Sequence, residues 1–157
     1  MEQNGLGDFI LRTRRNLEKI ERADEPDSDK YEVTQLINSL LGIVVFSKED
    51  PKIDVPPVGP EQLLADGWPH GLVRSADGRE HNLQEIVGFM RHAVAHYRIQ
   101  LEPEENMIAG IRMYNDPPGK DAPRWSVTLK ISELRLAVDK IAIEMLRLID
   151  PKLLLNP

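Results

Sequence analysis

The chain has 157 residues, 41% hydrophobic and 29% charged, with a formal net charge of −6 and no cysteine. That length holds one well-packed domain and is short for two, and the balance of apolar and charged residues excludes a disordered chain. The negative charge argues against broad, unspecific coating of nucleic acid, and the lack of cysteine removes disulfides, thiolate metal sites and cysteine nucleophiles together, as fits a cytoplasmic protein.

The opening segment MEQNGLGDFILRTRRNLEKIE mixes charges from the start and has no apolar signal core, so no export is expected. No run approaches the roughly 18 apolar residues of a membrane span. Asp8 is placed to cap a helix from Phe9 to about Ala23, with Phe9, Thr13, Leu17 and Ile20 inward. The cluster Arg12, Arg14 and Arg15 reads as the solvated side of that helix. The charged turn DEPDSD (24–29) ends it, and a second helix follows from about Tyr31 to Phe46. Val33, Leu36, Ile37, Leu40, Leu41, Val44 and Val45 cover most of its circumference, which predicts a deeply buried helix. Gly42 within it marks the close approach of a neighbour. Gln35 and Asn38 on this helix, and Asn16 on the first, are expected to make interhelical or capping hydrogen bonds, with one of them bordering a binding cleft as the functional alternative.

SKEDPKIDVPPVGPEQ (47–62) is proline-rich and extended, with a short helix at 60–66. LVRSADGREHNL (72–83) predicts a small hairpin around Asp77–Gly78, and His70 and His81 are expected in exposed loops. Asn82 with Glu85 forms a capping-box pattern for a third long helix. Its inner face would be Leu83, Ile86, Val87, Met90, Val94 and Tyr97, and Pro103 would stop it by about Leu101. MIAGIRMYN (107–115) and WSVTLKI (125–131) read as two paired strands joined by DPPGKDAPR, and Ser132 would cap a last helix to about Ile149. Trp68 and Trp125 are expected to serve packing. The sum is a single domain over 1–157, core about 8–149. It is mainly helical, a four-helix core with a small hairpin inserted before the last helix.

The chemistry concentrates in GFMRHAVAHYRIQ (88–100), where Arg91, His92 and His96 interrupt an apolar helix. On an ideal helix Arg91 and His96 lie about 140° apart, so their convergence needs arginine's reach, a local distortion or a second copy of the helix. His92 and His96 share a face and could be two metal ligands, but no glutamate base or third ligand stands between them. A second use is phosphate chemistry without a metal, in which an imidazole moves a proton and a guanidinium holds the phosphate. A structural or solvated role is the third.

RHAVAH (91–96) resembles the R-x4-H signature of the HEPN superfamily, whose motif carries Asn, Asp or His directly after the arginine. RTRRNLEKIE, YEVTQLINSLLGIVVFSKE, MRHAVAHYRI and SELRLAVDKIAIEML extend the likeness over roughly residues 9–148, to a branch of plasmid- and phage-associated HEPN family nucleases. The resemblance implies a four-helix up-down bundle and a homodimer in which two such helices face one cleft. It also implies a metal-independent endoribonuclease without cofactor, a toxin or defence effector in the cytoplasm, with RNA as substrate and a neutralising antitoxin protein as possible partner. Carried over by position, Arg91 would bind the scissile phosphate, His96 would act as general base or acid, and His92 would orient the pair. Tyr97, Arg98 and Asn38 are the candidate substrate-binding residues. Related toxins often carry a tyrosine two residues after the histidine, whereas here Tyr97 follows at once and position 98 is Arg. The alternative, favoured by the acidic balance, is a HEPN-like module that binds RNA or protein without cutting.

Overall fold

The computed structural model describes residues 5–22, 28–49, 53–105, 107–115, 121 and 124–155. The expected charged turn falls mostly, and the strand-joining loop almost wholly, outside them. The elements in order are α1 (Gly5–Arg22), α2 (Ser28–Glu49), α3 (Pro60–Ala65), α4 (His70–Val73), α5 (Leu83–Ala95), β1 (Ile99–Glu104), β2 (Met107–Tyr114), β3 (Ser126–Lys130) and α6 (Ile131–Ile149), followed by a 3₁₀ turn, Pro151–Leu154. The described protein is therefore mainly helical with one small antiparallel sheet. No described helix is long and apolar enough to cross a membrane. Contacts divide the chain into two compact units, residues 1–54 with 138–157, and residues 55–137.

In the first unit, α1 packs on α2. Helix α1 begins three residues before the expected cap, so Asp8 lies inside its first turn and pairs with Arg12 at 2.8 Å. Its buried stripe is Gly7, Ile10 and Leu17; of the expected series, Leu17 is buried, Thr13 and Ile20 are half-buried, and Phe9 is 37% exposed. The reading of the arginine cluster as a helix surface holds in part: Arg12 and Arg15 are exposed, but Arg14 is half-buried and bonds Asp139 of α6 at 2.8 Å. Helix α2 buries Val33, Leu36, Leu40, Ile43 and Val44, while Leu41 lies at the exposed edge. A fully buried aliphatic side chain contributes roughly 1.5–3 kcal/mol, so this one-sided stripe is enough to fix the helix. Gly42 does mark a close neighbour: a Cβ there would stand 2.6 Å from Cζ of Phe9.

In the second unit, α5 packs on β2, and α4 on β3. The sheet has three strands in the order β1-β2-β3, where the sequence predicted two. Ile111 pairs with Leu129 and Met113 with Val127 on the buried face, while Arg112 and Thr128 pair on the exposed one. Pro103, expected as a helix stop, sits in edge strand β1 at a register shift beside Glu102. An edge bulge tolerates the missing N–H. Trp68 and Trp125 are buried, and Trp125 stacks against Phe89 at 5.3 Å.

The expected hairpin around Asp77–Gly78 is reduced to one bridge, Arg74 with Glu80, because Leu72 and Val73 belong to α4. Gly78 turns the chain at φ +84°. The backbone N–H and guanidinium of Arg79 hold the Asp77 carboxyl below its ordinary range. His70 is exposed, as read, but it opens α4 instead of lying in a loop.

His81 lies in a loop, as read, but it is buried rather than exposed. It is 4% exposed, 2.6 Å from Oγ of Ser75, with the Phe89 ring edge-on at 5.3 Å. Burial is the main cause that lowers its pKa from 6.5; Arg79 adds to the lowering, while Glu85 and Asp77 oppose it. The folded form therefore binds fewer protons than the unfolded chain. Stability from this residue is complete above pH 6.5 and is lost as the pH falls from there through the folded value. Denaturant titrations of the wild type should lose stability as the pH falls below 6.5, and His81→Gln should flatten that slope. Equal slopes for the two proteins would refute the assignment.

Candidate functional site

Helix α5 is started by a complete capping box, in which Asn82 accepts from the Glu85 N–H and Glu85 accepts from the Asn82 N–H, both at 2.9 Å. Its buried residues are Leu83, Ile86, Val87, Met90, Ala93 and Val94. On a helical wheel these fill an arc of about 120°, and Arg91, His92, Ala95 and His96 occupy the opposite one. Arg91 and His96 thus stand at the two edges of one open arc, with His92 between them. The separation of about 140° is the width of that arc.

The helix does not run on to Leu101. His96 is its C-cap, and the chain leaves through a Schellman turn: the N–H of Tyr97 donates to the Val94 carbonyl at 3.2 Å, and that of Arg98 to the Ala93 carbonyl at 2.8 Å. Such a turn needs a left-handed residue after the cap, normally glycine. Here it is Tyr97, at φ +55°. The expected inner-face position for Tyr97 is also overturned, because its side chain is 92% exposed. The left-handed conformation costs a non-glycine residue about 1–2 kcal/mol. Tyr97→Gly should therefore raise stability by about 1 kcal/mol in denaturant titration, and a loss would show that the ring makes a contact.

Beyond this turn, the Tyr114 N–H donates to the Arg98 carbonyl at 3.2 Å and so ties the site to β2. The Arg98 side chain turns back, with Nη1 3.2 Å from Nε2 of His92. A guanidinium can only donate, so this contact requires an unprotonated His92 Nε2. The His92 and His96 rings lie 4.4 Å apart between centroids, tilted by 51°. His96 is exposed, and Arg91 is half-buried with no hydrogen bond or ion pair among the described residues.

The structure thus brings together His92, His96 and Arg98, with Arg91 on the same open arc and Tyr97 projecting beside them. Asn38 belongs to the first unit. There it is exposed and lines a groove between α1 and α2 with Thr13, Asn16, Gln35 and Ser39. Asn16 and Gln35 are exposed too, so they do not lie at the buried face expected of them. Among the described residues, no three His, Asp or Glu side chains are grouped so as to hold a metal ion. Sequence reasoning missed the left-handed Tyr97, because no glycine or asparagine marks the turn.

A family model described as HEPN pEK499 p136 matches residues 1–151, and the chain belongs to that HEPN family. No curated protein and no solved structure matches it.

Proposed function

We propose that this protein is a metal-independent HEPN endoribonuclease that cuts RNA in a cleft shared by two copies, folded as one helical-bundle domain. The observation that carries the reading is the set of Arg91, His92 and His96 on the open arc and C-cap of α5 with Arg98 turning back to His92 from beyond it, in a chain whose family match spans residues 1–151. HEPN membership makes RNA the favoured target. The side chains suit a reaction in which the substrate supplies its own nucleophile.

One imidazole takes the proton of a ribose 2′-hydroxyl, and the 2′-oxygen forms a bond to phosphorus. The phosphorus–O5′ bond breaks, and the leaving oxygen takes a proton from an imidazolium. Products are a 2′,3′-cyclic phosphate and a 5′-hydroxyl. Arg91 holds the phosphate and stabilises charge that grows on its oxygens. His96 is the proton-transfer group nearest solvent, while Arg98 fixes the ring of His92. A toxin or defence role, with a neutralising protein partner, follows from the plasmid and phage resemblance.

Incubating purified protein with RNA in excess EDTA is expected to give cyclic-phosphate ends. Cleavage that EDTA abolishes, or products ending in 3′-hydroxyl, would refute the mechanism. A binding module that does not cut is the second reading, favoured by the net charge of −6. Tight RNA binding with a broad RNA panel left intact would establish it.

A further inference from the structure

We propose that Tyr97 is a stacking platform for an unpaired RNA base, so that the site selects single-stranded RNA; this rests on the nuclease reading above. Three observations meet at this residue. The ring is 92% exposed, so the fold gains almost nothing from it by packing. The backbone is left-handed at φ +55°, where a glycine would sit without strain, so the tyrosine is held at a cost to the fold. Its own N–H and that of Arg98 are both fixed in the Schellman turn, which makes the base of the ring rigid.

An exposed aromatic ring on a fixed backbone directly follows His96 and directly precedes Arg98, the residue that reaches His92. An aromatic face stacks any base that is free to leave its neighbours, and it does so with little regard to sequence. Bases inside an A-form duplex are already stacked on each other and cannot reach it. The platform would hold the base next to the scissile phosphate and leave that phosphate to the arginines.

Fluorescence anisotropy with a labelled single-stranded 2′-O-methyl RNA oligonucleotide tests this, because that probe lacks the 2′-hydroxyl and cannot be cut. Tyr97→Gly should bind about tenfold more weakly than wild type with an equal or higher melting temperature, while Tyr97→Phe and Tyr97→Trp keep their affinity. A blunt duplex of the same sequence should bind wild type and Tyr97→Gly equally and weakly. The proposal is overturned if Tyr97→Gly binds the single strand as wild type does, or if Tyr97→Phe loses as much as Tyr97→Gly. It is also overturned if Tyr97→Gly dissociates a dimer in sedimentation, which would assign the ring to a protein interface. Tyr97-dependent binding by a wild type that cleaves no RNA would refute the nuclease reading alone. A cleaving wild type whose Tyr97→Gly variant binds unchanged would refute the platform alone.

Discussion

Arg91→Ala and His96→Ala are each expected to lower the rate of RNA cleavage by at least about 10²-fold, with the fold intact. The magnitude follows from the roles. A positioned proton-transfer group typically contributes 10²–10⁴-fold, and removing one preorganised donor at a developing oxyanion costs about 10²–10³-fold. Neither residue holds the fold together in a way that would blur the result. His96 is exposed, and Arg91 has no hydrogen bond or ion pair among the described residues. Surface substitutions of this kind shift stability by about 0.5 kcal/mol or less, so the melting curves of both variants should overlay the wild type. His92 provides the internal control. The HEPN motif accepts Asn directly after its arginine, so His92→Asn should retain most activity if the residue orients its neighbours. Initial rates on a fluorescent RNA, read beside melting curves, decide the matter. Wild-type rates in both purified alanine variants would end the catalytic assignment, and a rate lost together with the fold would show the residue to be structural.

The candidate site was legible in the sequence as a set of residues and illegible as a geometry. Arg91, His92 and His96 are visible because they interrupt an apolar periodicity. The buried stripe from Leu83 to Val94 was legible for the same reason, and so was the Asn82–Glu85 cap. The helix end was hidden. Pro103 is the only strong breaker in YRIQLEPEEN, yet the helix had already stopped at Ala95, through backbone bonds that leave no residue signature when tyrosine takes the glycine position. Strand β1 was lost with it, since a proline inside a strand argues against a strand unless it lies at an edge or a bulge, and Pro103 does both. His81 was misread for a related reason. A histidine beside a turn is usually solvated, and nothing local announces that Ser75 and Phe89 will enclose it. In α1, by contrast, the period was right and Leu17 is buried as read, but the phase was off in the first turns. Ile10 is fully buried, while Phe9 lies over Gly42 at the margin.

Gly110→Ala is expected to be strongly destabilising. A Cβ at position 110 would stand 2.5 Å from the carbonyl oxygen of Leu129 and 3.3 Å from its carbonyl carbon. Both atoms belong to the backbone of β3, and Gly110 lies in central strand β2, paired with Glu102 on one side and Lys130 on the other. Neither neighbour can rotate away, so relief requires opening the β2–β3 ladder. Overpacking of this kind costs about 1–3 kcal/mol, and a backbone obstacle belongs at the upper end. For a chain of this size that lowers the melting temperature by about 5–10 °C. Gly42→Ala makes the instructive comparison. Its added methyl would also come close, 2.6 Å from Phe9, but the obstacle is the tip of a side chain that is 37% exposed and able to swing outward. Alanine also favours the helix by about 1 kcal/mol over glycine, so the net change there should be near zero. Thermal melts of the two variants side by side separate a backbone clash from a side-chain one, and a Gly110→Ala protein melting within a degree of wild type would refute the account. The consequence reaches the site as well. β2 carries the Tyr114 N–H that holds the Arg98 carbonyl, so a loosened ladder frees the turn that fixes Tyr97 and Arg98. Gly110→Ala should therefore weaken single-stranded RNA binding even at temperatures where the protein remains folded.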